Sequence, residues 1–291
     1  MEASVHRSPR RKAAASSRLT AATADKHILY EASVQCVEAD LDFFNRVFRN
    51  KRGRPPRLLK EDFCGTSALA CQFVKGHPEN RAWGVDLHKP TLDWGRARHV
   101  ARLGADRDRV TLVQDNVLNV TRPQVEIVCA LNFSYFVFKT RDALRAYFRT
   151  ARESLTGDGI FVLDCFGGTE AMESMSEDRR IPASISIEGR KLPAFTYVWD
   201  QARFNVVDHD ILCHIHFKFS DGTMMKRAFT YNWRLWTLPE LQETILEAGF
   251  ASAEVYMEGW DDEADEADGI YRRRSTFENM AGWVGYVVGI R

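Results

Sequence analysis

The segment Glu61-Asp62-Phe63-Cys64-Gly65-Thr66-Ser67 puts two carboxylates, a thiol, two hydroxyls and a glycine between an apolar run and a helical pattern. A small-residue turn at that junction lets a ligand come close to the backbone, with the N–H groups of the helix start facing it. Twenty-one residues past Gly65, Gly84-Val85-Asp86-Leu87 ends the next apolar run on a carboxylate, which can accept hydrogen bonds from both hydroxyls of a ribose. Val113-Gln114-Asp115-Asn116 repeats the arrangement once more. Three successive strand ends that present acceptors along one rim suit an adenosine better than a triphosphate. Each piece alone has an ordinary explanation: a strand–helix connection for the turn, a helix cap or a solvated strand end for each aspartate. The chemistry is carried by their joint spacing. A nicotinamide-dependent dehydrogenase would also want Asp86, but it expects a fuller Gly-x-Gly-x-x-Gly turn for a pyrophosphate.

Strands and helices must hold these groups in place. Leu41, Phe44 and Phe48 recur at helical spacing, so a helix is expected within residues 30–50, ended by Gly53 and the Pro55–Pro56 pair. Strands are then expected at 58–63, 81–86, 110–114, 125–131 and 160–166. Helices are expected at 67–75, from Pro90 to about Leu103, and along the face formed by Leu144, Tyr147, Phe148, Ala151 and Leu155. Repeated strand–helix alternation predicts a parallel sheet covered on both faces, with ligands beyond the carboxyl ends of its strands. The pattern changes at residues 167–236, where Ile211, Cys213, Ile215, Phe217 and Phe219 alternate with period two and Asp221–Gly222 marks a hairpin. Thr237 and Glu240 form a capping box for a further helix that stops at Gly249, and strands near 253–257 and 283–290 close the chain.

The division expected is a disordered basic tail (1–24), a helical segment (25–57), a cofactor-binding core (58–166), an antiparallel insertion or lid (167–236) and the closing part of the main sheet (237–291). The tail holds five basic residues and one acidic, and such a start is also compatible with a targeting segment. Over 291 residues, 40 basic and 40 acidic side chains balance, which argues against an electrostatic nucleic-acid binder. No run approaches the roughly 18 apolar residues of a membrane span. Six scattered cysteines without a C-x-x-C pair fit reduced thiols and a cytoplasmic location.

On the 61–67 turn, Asp86 and Asp115, the sequence resembles the class I S-adenosylmethionine-dependent methyltransferases over roughly residues 58–166. The helix–strand–strand close at 237–290 matches the usual end of that fold. The resemblance implies an α/β, Rossmann-like seven-stranded sheet with helices on both faces and an antiparallel insertion between strand 5 and the following helix. It implies S-adenosylmethionine as cofactor, with Glu61, Cys64, Gly65 and Thr66 beside the methionine part and Asp86 on the ribose. Leu87 would flank the adenine, Asp115 would bind its amino group with Asn116 beside it, and Asn132 would border both cofactor and acceptor. One departure stands out. Phe63 and Ser67 occupy the outer positions of the familiar Gly-x-Gly-x-Gly turn, leaving only Gly65.

Insertions of this kind often cover a small acceptor, and this one carries Phe195, Tyr197, Trp199, Phe204, Phe229, Tyr231, Trp233 and Trp236. Most of these would simply pack the sheet onto its neighbour or onto a second subunit. One or two could wall an acceptor pocket. The expected function is in-line methyl transfer to a small molecule with a nitrogen or oxygen nucleophile, and Tyr30, Tyr135 and His214 are the candidate proton acceptors. Asn132-Phe133-Ser134-Tyr135 lacks the paired prolines of nucleic-acid amino methyltransferases. His214 and His216, with His209 nearby, are expected on a solvated strand face rather than around a metal. The acidic run Asp261–Asp268 reads as a loop with Arg272–Arg274 as counter-charges. Two other readings remain: an RNA or protein methyltransferase tethered by the basic tail, and a non-catalytic binding module whose pocket Phe63 closes.

Overall fold

The computed structural model describes residues 19–186, 188–261 and 266–291. Two helices lead in, α1 (Lys26–Val34) and α2 (Val37–Arg52). The single helix expected here is therefore two, broken at Gln35 and Cys36. Asp25 caps α1 by accepting from His27 N, and Gly53 ends α2 at φ 71°. Strand β1 (Leu58–Asp62) is followed by α3 (Ala68–Lys75), β2 (Arg81–Asp86), α4 (Lys89–Arg98), β3 (Val110–Gln114), β4 (Val125–Ala130), α5 (Arg141–Glu153) and β5 (Leu155–Gly167). Then come β6 (Met175–Ile181), β7 (Ser184–Ile185), β8 (Lys191–Leu192), β9 (Phe195–Phe204), β10 (Asp210–Lys218) and β11 (Met224–Arg234). The chain closes with α6 (Leu238–Glu247), β12 (Ser252–Asp261), β13 (Glu266–Arg273) and β14 (Trp283–Ile290).

The main sheet has the order β13-β12-β14-β5-β4-β1-β2-β3. Its β3-β2-β1-β4-β5 part is parallel, and β14, β12 and β13 join antiparallel. Seven strands follow the expected alternation. The eighth is β13: Glu266–Asp268 belong to a strand, where a loop was expected, because this segment pairs back on β12 with Arg272 bridging to Asp268. Residues 262–265 of the acidic run lie outside the described residues. Period-two alternation feeds two cores. Ile160 and Val162 face α2 and α3, whereas Phe161 and Leu163 face α5 and α6.

Order reverses between β1 and β4, whose onward connections run to opposite sides of the sheet. That reversal opens the crevice in which α/β sheets bind ligands.

The second sheet, β11-β10-β9-β6, is antiparallel throughout. Its β10–β11 hairpin turns at Asp221–Gly222 with Gly222 at φ 85°. Cross-strand pairing puts Ile215, Trp199 and Phe229 on one face and His214, Asp200 and Thr230 on the other. Helix α1 docks on the first of these faces, burying Leu29 with Phe195, Ile215 and Phe217. Residues 19–24, expected as part of the tail, belong here too: Leu19, Ala21 and Ala24 pack on that cluster, and Ala21 N donates to Thr223 Oγ1 at 3.0 Å. Residues 1–18 lie outside the described residues. No described helix is long and apolar enough to cross a membrane.

Candidate functional site

Strand β1 ends in a loop whose backbone is unusual at three alternate positions. Phe63, Gly65 and Ser67 have φ of 57°, 52° and 63°. These are the three glycine positions of the expected motif, so the left-handed conformations survive although two of the glycines do not. Phe63 does not fill the crevice: its ring makes edge contacts with Tyr147 at 5.6 Å and Phe138 at 6.1 Å, toward α5. Ser67 begins α3 without a side-chain cap. Glu61 takes that role, Oε2 accepting from Ala70 N at 3.1 Å, and burial pushes its carboxyl up to about 8. Gly95 of α4 lies directly on the loop, where a Cβ would sit 2.3 Å from the Thr66 carbonyl oxygen.

Asp86 is oriented by two backbone donors, Gly65 N to Oδ2 and His88 N to Oδ1, both at 2.8 Å. Each oxygen keeps a lone pair for a ribose hydroxyl. Leu87 follows, 65% exposed beside this polar rim. Asp115 Oδ1 accepts from Asn116 N at 2.6 Å and Asn119 Nδ2 at 2.8 Å, and Asn116 Oδ1 accepts from Leu118 N at 3.0 Å. Both residues thus shape the turn after β3. A bare leucine flanked by preset carboxylates at adjoining strand ends fits an adenosine: an apolar platform for the base and acceptors for its polar edge.

Two expected ligands face elsewhere. Thr66 Oγ1 donates to Glu31 Oε1 at 2.6 Å, and Glu31 also holds His99 Nε2 at 2.7 Å, so Thr66 ties the loop to α1. Cys64 is buried against Ser67 Oγ at 3.4 Å, and its thiol is pushed well up by burial.

Beyond β4 and β5, two neighbouring cavities open between the main sheet and the inner face of the second sheet. The smaller, about 190 Å³, is lined by Tyr30, Asn132, Phe133, Tyr231 and Trp233 among others. The larger, about 650 Å³, shares Asn132, Phe133, Tyr197 and Trp199 with it and extends to Asp40, Asp164, Glu258, Tyr271 and Tyr286. Consecutive left-handed residues, Asn132 at φ 54° and Phe133 at φ 58°, form the partition. Asp164 holds that turn: Oδ2 accepts from Asn132 N at 2.6 Å and Oδ1 from Phe133 N at 2.9 Å. Tyr231 and Trp233 stack at 4.2 Å, and Trp233 meets Phe133 edge-on at 6.4 Å.

The three proton-acceptor candidates do not meet. Tyr30 lines the smaller cavity beside Tyr231 and is kept as a phenol by burial. Tyr135 is buried in the core, its hydroxyl donating to the Asp164 carbonyl at 2.7 Å, because the turn after Asn132 swings its ring toward Phe136 and Phe148. His214 lies on the face of the second sheet opposite the cavities. It is not solvated as expected, being within 2.9 Å of Thr230 Oγ1, and His216 is bonded to Asp200 and Arg227 N.

Asp164, Asp40, Glu258 and Trp283 line the larger cavity and were not singled out from the sequence. Asp164 had a signal, a lone carboxylate closing the apolar run Ile160-Phe161-Val162-Leu163. Asp40 had none, being one acid among several on an amphipathic helix.

The strand order and the crevice between β1 and β4 decide the architecture. This is the class I methyltransferase fold. The chain is similar to the amino pentose methyltransferase CalS10 from Micromonospora echinaspora, whose structure holds S-adenosylmethionine, at 14% identity and TM-score 0.62, covering 90% of this chain and 95% of that one. It is similar to the sugar N-methyltransferase KedS8 from a Streptoalloteichus species at 18% identity and TM-score 0.62, covering 99% of each. DesVI from Streptomyces venezuelae matches at 16% identity and TM-score 0.64, over 91% of this chain and 95% of that one. No family model and no curated protein matches the sequence.

Proposed function

We propose that the protein is an S-adenosylmethionine-dependent methyltransferase acting on a small molecule through a nitrogen or oxygen nucleophile. The observation that carries this reading is one juxtaposition. Oriented carboxylates and an exposed Leu87 at the ends of β2 and β3 lie along the same edge of the parallel sheet as an aromatic chamber past the end of β4, lined by Asn132 and by residues of the second sheet and α1. Two of the similar solved structures, an amino pentose methyltransferase and a sugar N-methyltransferase, support a small acceptor.

When bound, S-adenosylmethionine would supply an electrophilic methyl on a positively charged sulfur. Asp86 would take the ribose hydroxyls, Leu87 the adenine face, and the loop through Gly65 the methionine end. The chain's remaining work is to fix the nucleophile near Asn132 and keep water out, and such positioning can supply ~7–11 kcal/mol. Tyr30, held as a phenol, orients a nucleophile by donating or accepting a hydrogen bond and does not act as a phenolate.

Thermal denaturation with S-adenosylhomocysteine tests the reading. At about 100 times its dissociation constant the ligand should stabilise the protein by ~2.7 kcal/mol, whereas NAD⁺ should not. Asp86→Ala should weaken S-adenosylhomocysteine on the order of 10- to 100-fold, the value of hydrogen bonds to a charged group. No stabilisation of protein free of bound ligand would return the binding-module reading.

A further inference from the structure

The larger cavity carries more carboxylates than its neighbours neutralise. Asp40 comes from α2, Asp164 from β5, Glu258 from β12, and Glu170 and Glu177 sit nearer the second sheet. The one basic side chain in the lining, Arg179, is committed to the Ser33 carbonyl and lies 5.1 Å over the Tyr197 ring. The partners of the three deeper carboxylates are neutral. Asp40 accepts from the Tyr286 hydroxyl, Asp164 from two backbone N–H groups, and Glu258 from Gly269 N. Among the described residues, none of the three is within ion-pair distance of a cation. Burial is the main cause that raises all three carboxyls, Asp40 to about 6 and Asp164 to about 8, and Asp40 contributes to the shift at Asp164. The same lining includes the aromatic side chains Trp199, Trp283, Tyr271 and Phe133. One buried carboxylate (Asp164) and two half-buried ones (Asp40 and Glu258), all without counter-charges and set among aromatic side chains, attract one kind of guest, an organic cation.

We infer that this cavity is the acceptor subsite for a cationic amine, whose ammonium lies against Asp40, Asp164 and Glu258 and whose apolar body lies on Trp199 and Trp283. The inference rests on the methyltransferase reading and narrows it. The acceptor class is an alkyl or arylalkyl amine, and phosphorylated or nucleotide-linked acceptors are rejected by the same carboxylates. Since only the free amine is nucleophilic, the ammonium must lose its proton to one of these carboxylates before attack. The nitrogen lone pair then forms the N–CH₃ bond as the S–CH₃ bond breaks, leaving a neutral thioether and a methylated ammonium.

The test uses the full chain, with and without saturating S-adenosylhomocysteine, and isothermal titration with three probes of one shape: 4-phenylbutylamine, 4-phenylbutanol and 4-phenylbutyl phosphate. The amine is expected to bind at least about tenfold tighter than the alcohol, and the phosphate not measurably. Asp40→Asn and Glu258→Gln should each lower amine affinity several-fold, leave the alcohol unchanged, and keep S-adenosylhomocysteine binding within about threefold. Equal affinity for amine and alcohol, preference for the phosphate, or no binding of any probe at millimolar concentration overturns the inference. The wild-type comparison does not depend on either variant folding. Amine discrimination without S-adenosylhomocysteine binding would instead remove the methyltransferase reading and leave an amine-binding cavity.

Discussion

Phe63 and Ser67 hold left-handed backbone conformations that cost an L-residue ~1–2 kcal/mol each. Phe63 recovers part of this through its contacts with Tyr147 and Phe138. Ser67 recovers little, since its hydroxyl meets only the Cys64 sulfur and caps nothing. Ser67→Gly should therefore stabilise the protein by about 0.5–1 kcal/mol, read as a rise in the urea midpoint at unchanged slope. A loss of stability would mean that the serine does more than tolerate its place. Asp40 makes the opposite kind of compromise. Its carboxyl is raised to about 6, chiefly by burial and further by Glu38, with the Tyr286 hydroxyl opposing. A raised acid favours the folded state below the unfolded value of about 3.9, and that contribution is lost as pH rises through 6. Asp40→Asn should thus gain stability over wild type between pH 4 and 7, by on the order of 2 kcal/mol, in a series of denaturant melts. A gain in stability joined to a loss of amine affinity would mark the charge as kept for binding.

Helix α1 connects the β1–α3 loop to the second sheet. Asp25 accepts from Trp94 Nε1 at 2.7 Å, Glu31 bridges Thr66 and His99, Tyr30 meets Phe229 at 4.9 Å, and Leu29 is fully buried on the second sheet. Its neighbours in sequence gave it no apolar stripe as clear as that of α2, and the expected helix began only near Tyr30. Helix α1 exists because the second sheet offers it a face. Leu29→Ala removes the centre of that contact and should cost about 2–5 kcal/mol. Hydrogen exchange should show α1 amides losing protection before those of β4, and uniform loss across the chain would refute this account. The α6 capping box, by contrast, was legible from Thr237 and Glu240 alone, since both of its hydrogen bonds lie within four residues.

At the scale of the whole molecule, the parallel sheet is crossed by a charge network. Lys60 and Asp62, 1% and 0% exposed, pair at 3.1 Å in β1. Lys60 Nζ also donates to the Val120 carbonyl and Ser154 Oγ, and Tyr147 donates to Asp62. This joins β1, the segment after β3, and the middle and C-terminal end of α5 beside the β1–α3 loop. Lys60→Met would leave Asp62 buried without its cation and should destabilise by about 3–5 kcal/mol, and adding Asp62→Leu should recover much of the loss. Thermal melts of the single and double variants decide it, and additive losses would refute the coupling.

The sequence alone determined what short range controls. Apolar period two and helical spacing marked the alternating elements, and Asp86 and Asp115 at the ends of β2 and β3 marked the rim proposed for the cofactor, whereas the β1 carboxylates Glu61 and Asp62 turned out to cap α3 and to pair with Lys60. Each depends on a residue and its near neighbours along one element. Only the tertiary structure decided where side chains of distant elements meet. It put Tyr135 in the core and His214 behind the second sheet, and it turned Thr66 toward Glu31. It also gathered Asp40, Asp164 and Glu258, from α2, β5 and β12, around one cavity. Those placements follow from how the sheets and α1 close on each other, and no local pattern encodes the counter-charges a buried carboxylate will find.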